Sequence, residues 1–373
     1  MTQTIKENKE KVNLKNFNYK ELENWVKEQG WPKFRAKQIA KWLYNKKVGS
    51  YDEMTDISKE IRQYLKENTQ LNTLELVSFE KSKLDGSIKF LWKLHDGHTI
   101  ESVFIPERDH NTLCISTQVG CAVGCKFCYT TKDGLLRNLT TAEIVDQYIQ
   151  VQRFVGFEPE KRISNIVYMG MGEPLANYDN VKKSVQIFTD EKMAGLSNRK
   201  ITISSSGIIA QILKMYEDKE FPQVRLAVSL NAADQKTREM IMPIAKTNTL
   251  EELMKTLNSL PFKTGYRIML EYVLLKDVND REKDAHNLAK LIGKNRKKYK
   301  VNLIPFNPFE GSEFERPDEK RVEKFQKILW DYNISAFIRW SKGKDISAAC
   351  GQLRKKQLNN FISRQSLTEK ANA

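Results

Sequence analysis

CAVGCKFC, residues 121 to 128, decides how the rest of the chain is read. It sets Cys121, Cys125 and Cys128 in a C-x3-C-x2-C spacing. Three thiolates this close in sequence can converge on one iron–sulfur cluster from a single loop. A complete [4Fe-4S] cage uses four thiolates, one per iron. Three leave one iron free for another ligand. The plainer alternatives are a zinc site or a group of buried cysteines. The tight spacing is far more specific than a lone C-x2-C and favours the cluster.

The loop resembles that of the radical S-adenosylmethionine (radical SAM) superfamily. The resemblance implies a [4Fe-4S] cluster on Cys121, Cys125 and Cys128. It also implies that the open iron holds the amine and carboxylate of S-adenosylmethionine (SAM).

Bulk properties bound the rest. The chain has 373 residues, enough for one large domain and a small one, and 40% are apolar, enough for a sizeable core. No apolar run approaches a membrane span, and the opening MTQTIKENKEKVN lacks an apolar signal core. A soluble, cytoplasmic protein without membrane contact is expected. Five cysteines are few and odd in number, which argues against a disulfide framework and for metal or redox chemistry. The net charge is +15 and the pI about 9.3. A solvated surface would account for this balance. So would a polyanionic partner, for which RNA or DNA fits better than lipid.

Residues 1–14 are polar and Lys-rich and are expected to form a disordered tail. A helical domain is expected over 15–72. Asn18 and Glu21 have the spacing of a capping box ahead of Leu22 and Trp25, with Gly30 as a stop. Pro32 opens a second helix with Ile39, Trp42 and Leu43 on its apolar face, and a third spans roughly 57–67. Lys33, Arg35, Lys37, Lys41, Lys46 and Lys47 mark the outer faces. They suit an RNA-docking module, and equally a helical cap with solvated lysines.

Over 73–106 the period becomes strand-like. Asp85-Gly86 and Asp96-Gly97 separate β-rich runs, a hairpin signal that predicts a β-meander extension. The last run, HTIESVFI, puts Glu101, Val103 and Ile105 on one face. His95 and His98 flank a turn and read as turn polars.

Strand and helix patterns alternate over 107–340. The strand-like runs are TLCIST, NIVYMG, KITISS, VRLAVSL, YRIMLEYVLL and VNLIPF. Thr140 with Glu143 and Thr249 with Glu252 have capping-box spacing in two of the helical stretches between them. Six βα units predict an α/β fold with a parallel sheet, open or closing as a barrel. A seventh apolar run, ISAFIRW, follows the last helix. Residues 341–373 are expected to be a C-terminal loop carrying Cys350 and then a polar tail, fraying beyond 355.

Sites in parallel α/β folds lie at the C-terminal ends of the strands. The cysteine loop follows the first strand and GMGEP (170–174) the second. Ser204 closes the third, Ser229 and Asn231 the fourth, and Asn307 follows the sixth. All of them therefore face one end of the sheet.

Within the cysteine loop Phe127, followed by Tyr129, can shield a cluster, stack on adenine or simply pack the loop. In GMGEP the glycines let backbone approach a ligand, and Glu173 can accept hydrogen bonds from an amino group. Cys114 and Cys350 are left over. A lone cysteine is usually a small buried hydrophobe. Cys350, however, is flanked by Ala348, Ala349 and Gly351, small enough for another molecule to come close.

ESVFIPERDHNTLCISTQVGCAVGCKFC, MGMGEPLAN, NRKITISSSG, NLIPFNPF and DISAACGQL together resemble the RlmN/Cfr family of radical SAM RNA methyltransferases. Within it they resemble the RlmN branch of dual-specificity RNA (adenine-C2) methyltransferases. The similarity runs from roughly 15 to 355 and is weakest in the helical section. It implies a radical SAM partial (βα)6 barrel. It also implies methylation at C2 of adenine 2503 in 23S rRNA and of adenine 37 in tRNAs, with an electron donor such as a flavodoxin-type reductant. A monomer is expected.

Adenine C2 is an electron-poor amidine carbon, so simple displacement on SAM does not methylate it. By resemblance, Cys350 takes a methyl from one SAM and becomes S-methylcysteine. A second SAM is cleaved to a 5′-deoxyadenosyl radical that removes hydrogen from that methyl. The methylene radical adds to C2, and Cys114 then attacks the Cys350 sulfur to release the RNA and leave a transient disulfide. Glu101 matches the family's proton acceptor, and its place between apolar neighbours would raise its pKa towards that of a base. Gly172, Glu173, Ser204, Ser229, Leu230, Asn231 and Asn307 match its SAM contacts.

Two positions depart from the family pattern. The usual SLH is Ser229-Leu230-Asn231, and the common FCAT is Phe127-Cys128-Tyr129-Thr130. Neither touches a cluster ligand. Asn231 can still hydrogen-bond a ribose hydroxyl or a carboxylate. A Cfr-type C8 methyltransferase is the nearest rival reading. Pro174 and Phe306-Asn307-Pro308-Phe309 resemble RlmN more. A non-enzymatic iron–sulfur RNA-binding protein would need neither Cys114 nor Cys350.

Overall fold

The structure, a computed structural model, describes residues 11–261 and 265–353. The polar tail expected beyond 355 lies outside the described residues, as do residues 1–10 of the expected N-terminal tail.

The N-terminal helices form where the sequence signals put them. Helix α1 (Tyr19–Glu28) starts on a complete capping box. The Asn18 side chain accepts from the Glu21 N–H (3.0 Å), and the Glu21 carboxylate accepts from the Asn18 N–H (2.8 Å). Helix α2 (Phe34–Ala40) runs into a π-helical turn at Lys41–Lys46, and α3 (Lys59–Asn68) follows. Leu22, Val26, Ile39, Leu43 and Leu65 are buried between them. Order begins before the expected boundary at residue 14. The Val12 N–H donates to the Asn68 carbonyl (3.0 Å), its carbonyl accepts from the Gln70 N–H (2.9 Å), and Leu14 is buried.

Strands β1 (Glu75–Lys81), β2 (Ile88–Lys93) and β3 (Thr99–Pro106) form the expected antiparallel meander. Gly86 and Gly97 sit at its turns at φ +75 and +80, a conformation that favours glycine. The meander is not a separate extension. β3 pairs antiparallel with β4 (Asn111–Cys114), and one ten-stranded sheet results. The expected boundary at 106/107 thus falls inside a continuous sheet, because the strands on either side of it hydrogen-bond to each other.

After β4 the hairpin β5 (Gln118–Gly120) and β6 (Leu135–Asn138) brackets the cysteine loop. Helix α4 (Thr141–Val155) then leads to β7 (Ile163–Tyr168), and α5 (Tyr178–Thr189) to β8 (Ile201–Ser205). Helix α6 (Ile209–Glu217) leads to β9 (Arg225–Ser229). Helices α7 (Gln235–Ile241) and α8 (Leu250–Ser259) precede β10 (Ile268–Leu274). Helix α9 (Glu282–Ile292) leads to β11 (Tyr299–Pro305), and α10 (Glu319–Asp331) to β12 (Ala336–Ile338). The strands lie in the order β4-β7-β8-β9-β10-β11-β12, all parallel, with β1 and β12 at opposite edges. This is an open α/β barrel. The seventh apolar run enters it as an edge strand beyond the six expected βα units. Ile166, Ile203, Val228, Leu270 and Leu303 are fully buried, as strands covered on both sides require.

The helical domain is fastened to the barrel by one buried ion pair. The Lys15 ammonium meets the Asp146 carboxylate on α4, with both side chains excluded from solvent. The second Asp146 oxygen accepts from the Thr73 N–H (2.6 Å) and hydroxyl (2.8 Å). Removing the cation strands a buried carboxylate. Lys15→Met should therefore lower unfolding stability by about 3–5 kcal/mol in a denaturant titration.

Candidate active site

The cysteine loop is shaped by its own backbone. The Cys121 N–H donates to the Gly134 carbonyl (2.9 Å), closing the loop at its base. Gly120, just before it, is at φ +79, and a Cβ there would lie 1.9 Å from the Gly134 oxygen. The Cys128 N–H donates to the Cys125 carbonyl (3.1 Å), and the Thr131 hydroxyl donates to the Cys125 and Cys128 carbonyls (both 2.9 Å). All three thiols face one cavity. Burial pushes each of them up, Cys121 to about 12, and the nearby thiolates push further.

The strand ends close the same cavity. Gly172, Glu173, Ser204 and Ser229 line it, with Asn231, Asn307 and Cys350. Leu230 does not: it is fully buried, and its N–H donates to the Glu271 carbonyl (3.0 Å). Gly170 and Gly172 line the cavity and also pack tightly against the protein. A Cβ on Gly170 would sit 2.6 Å from the Ile115 oxygen, and one on Gly172 2.6 Å from the Gln118 Cβ. The Glu173 carboxylate accepts from the Ser206 N–H (2.6 Å) and the Leu175 N–H (3.2 Å). No cation pairs with it among the described residues. Burial raises its pKa despite those donors.

Asn231 adopts a left-handed conformation at φ +57, which asparagine tolerates. Its amide oxygen accepts from the Val273 N–H (2.8 Å), while its amide nitrogen faces only the Met242 sulfur (3.2 Å). The oxygen is thus committed to the protein. The nitrogen keeps donor capacity towards the cavity.

The C-terminal loop docks onto the cysteine loop. The Tyr129 N–H donates to the Gly351 carbonyl (2.7 Å) and the Thr130 hydroxyl to the Leu353 carbonyl (2.6 Å). The Asn307 side chain donates to the Cys350 carbonyl (3.2 Å). Gly351 is at φ +81, and a Cβ there would meet the Phe127 oxygen at 3.2 Å. Cys350 is therefore held beside the three cysteines. Cys114 ends β4, close enough to Cys350 that the latter's charge adds to burial in pushing its thiol to about 12. Both cysteines are free.

Glu101 lies outside this cavity but is tied to the same loop. It is buried, with Lys89 at 3.7 Å, and Lys89 also donates to the Ile346 carbonyl (2.6 Å). The carboxylate expected among apolar neighbours thus has a buried ammonium beside it.

Three polar residues were not singled out from sequence. Arg238 is fully buried and donates to the carbonyls of Ser206 (2.9 Å), Leu230 (3.2 Å) and Asn248 (2.9 Å), tying together the loops after β8 and β9. Glu271 lines the cavity with one carboxylate oxygen unpartnered. Arg339 also lines it, within electrostatic range of Cys350, Glu271 and Cys114. A lone charge inside an apolar strand run, as in YRIMLEYVLL and ISAFIRW, was the available signal for the last two.

A [4Fe-4S] cluster with SAM fits these groups. Three thiols whose pKa burial raises need a cationic centre to ionise, and cluster iron would supply it. The unpaired Glu173 carboxylate suits the SAM amine. Fold and site together define a radical SAM enzyme.

Known proteins agree. Residues 115–289 match the radical SAM superfamily, and 12–71 match the ribosomal RNA large subunit methyltransferase N-terminal domain. The chain is 52% identical over 343 residues to the probable dual-specificity RNA methyltransferase RlmN of Aquifex aeolicus, covering 92% of this chain and 97% of that one. It is 44% identical to the dual-specificity RNA methyltransferase RlmN of Desulfotalea psychrophila, covering 95% and 98%. The crystal structure of a radical SAM methyltransferase from Sphaerobacter thermophilus superposes with a TM-score of 0.87 at 39% identity, covering 92% of this chain and 99% of that chain. The chain belongs to the RlmN family of radical SAM methyltransferases.

Glu173→Gln keeps the shape and removes the charge. Cluster content should stay unchanged while SAM affinity falls about 10–100-fold, the loss of one buried charge pair. Equilibrium binding of SAM to cluster-loaded protein measures this.

Proposed function

We propose that this protein methylates C2 of adenine 2503 in 23S rRNA and C2 of adenine 37 in tRNAs, with Cys350 as the methyl carrier. The carrying observation is the docking of the Cys350 loop onto the cysteine loop through Tyr129–Gly351, with Cys114 close by. A binding protein needs no such arrangement. The names of the relatives support RNA as substrate.

Cys121, Cys125 and Cys128 hold the cluster, and Glu173, Ser204, Ser229, Asn231 and Asn307 surround SAM. Bound there, cluster and SAM supply a methyl group and a radical able to remove a hydrogen atom. Cys350 gives up its thiol proton and carries the methyl as a thioether. The carbon becomes bonded to adenine C2 while still on the Cys350 sulfur. Glu101 takes the C2 proton, and Lys89 beside it balances the charge that Glu101 carries before doing so. The Cys114 thiolate then attacks the Cys350 sulfur, forming a disulfide; the C–S electron pair goes to the carbon on C2, which takes up a proton and leaves as the methyl group of the free base. An external reductant of the flavodoxin type reopens the disulfide and supplies electrons to the cluster. The adenine must leave its stack to reach the cavity. The protein acts as a cytoplasmic monomer, and no described helix is long and apolar enough to cross a membrane.

Mass mapping of methylated adenosine after reaction in vitro tests this reading. Methyl at C2 is expected, and methyl at C8 alone would replace it with the Cfr-type reaction. Cys114→Ala should form a covalent protein–RNA adduct and fail to release it. Because burial holds the Cys114 thiol near 12, its reactive thiolate grows with pH. Release by the wild-type protein should therefore accelerate about tenfold per pH unit between 7 and 9, read by gel shift of trapped adduct.

A further inference from the structure

A cavity of about 640 Å³ opens between the N-terminal domain and the barrel, away from the cysteines. Its lining includes the cations Lys46, Lys47 and Arg162, and one carboxylate, Glu191. Lys47 is only 8% exposed. Among the described residues its ammonium has no carboxylate and no carbonyl acceptor, and it lies 4.9 Å from the centre of the Tyr148 ring. An ammonium this deep is expected to be paired, because an unpaired buried charge is costly. Its pKa accordingly falls to about 8, through burial and the nearby Arg162 charge. Asp146, a buried carboxylate on α4, is already taken by Lys15. Three cations therefore border a cleft with a single carboxylate, and among the described residues Lys47 has no anionic partner.

We propose that this cleft binds a backbone phosphate of the substrate RNA, held by Lys47 and Arg162. The inference rests on the RNA methyltransferase reading above. Position favours RNA over a free anion. Arg162 immediately precedes β7, whose far end carries GMGEP. The cleft is thus about 20 Å from the GMGEP end of the strand, six residues at roughly 3.3 Å per residue. The same end of the barrel holds a second cavity lined by Lys200, Arg225 and Lys300, which shares Met169 and Arg339 with the active site. Phosphate contacts set register and leave base choice to the active site.

Anisotropy titrations of cluster-loaded protein with a labelled RNA stem-loop bearing an unpaired adenine test this over a range of salt. Lys47→Gln and the exposed Arg162→Gln should each weaken binding about three- to tenfold and flatten the salt slope by about 0.7–0.9. Lys47→Arg should retain both. The Tm of Lys47→Gln should not fall, since an unpaired buried charge is removed, and inorganic phosphate alone should raise the Tm of wild type more than that of Lys47→Gln. Wild-type RNA binding with unchanged affinity and slope in both Gln variants overturns the proposal. So does a fall in Tm that accounts for the loss in Lys47→Gln while Arg162→Gln binds normally. Phosphate protection that depends on Lys47 without any RNA binding by wild type overturns the RNA assignment. Wild-type protein that neither binds nor methylates RNA refutes instead the function on which the proposal rests.

Discussion

The hydrogen bond from the Tyr129 N–H to the Gly351 carbonyl is the constraint on which the site depends. It joins two loops more than two hundred residues apart in sequence, one carrying the three clustered cysteines and the other Cys350. Without it Cys350 is a cysteine on a terminal loop. With it, and with Thr130 and Asn307 holding the same segment, the Cys350 thiol is fixed against the cysteine loop. Gly351 makes the contact possible, because its left-handed backbone and missing side chain let the loops meet.

Around this junction the barrel contributes rigidity more than reactivity. The parallel strands end in loops whose carbonyls would be poorly satisfied in a dry cavity. Arg238 answers several of them at once, donating to loops after two different strands. Gly170 and Gly172 let the loop after β7 press against the chain around Ile115 and Gln118. Glu173 is thereby aimed at the cavity with its carboxylate gripped by two backbone N–H groups. A preorganised carboxylate needs little rearrangement to receive a cation.

Much of this was legible in the sequence where the cause is local. The cysteine spacing, the Asp-Gly turns and the boxes at Asn18 and Thr140 each act within a few residues, and each reappears in the structure. Strand-end placement also carried over, since alternating βα units send every strand's C-terminus to one side. What remained hidden depends on distant partners. Nothing near Arg238 announces that its guanidinium ends among carbonyls of other loops. Lys89 gave no sign of bridging Glu101 and Ile346, which are remote from each other in sequence. The packing role of the GMGEP glycines stayed hidden for a related reason. A sequence reveals that a Cβ is missing but not whether ligand or protein fills the space. Leu230 was carried over as a contact by position, yet its side chain is wholly interior.

The central claim is that Cys350 carries the methyl group to the RNA. Tandem mass spectrometry of the Cys350 peptide tests it directly, after cluster-loaded protein has been incubated with SAM labelled in its methyl group and no RNA. The account predicts one labelled methyl as a thioether on Cys350, lost to the RNA when substrate and reductant are added. RNA labelled at adenine C2 while Cys350 stays unmodified throughout would contradict it.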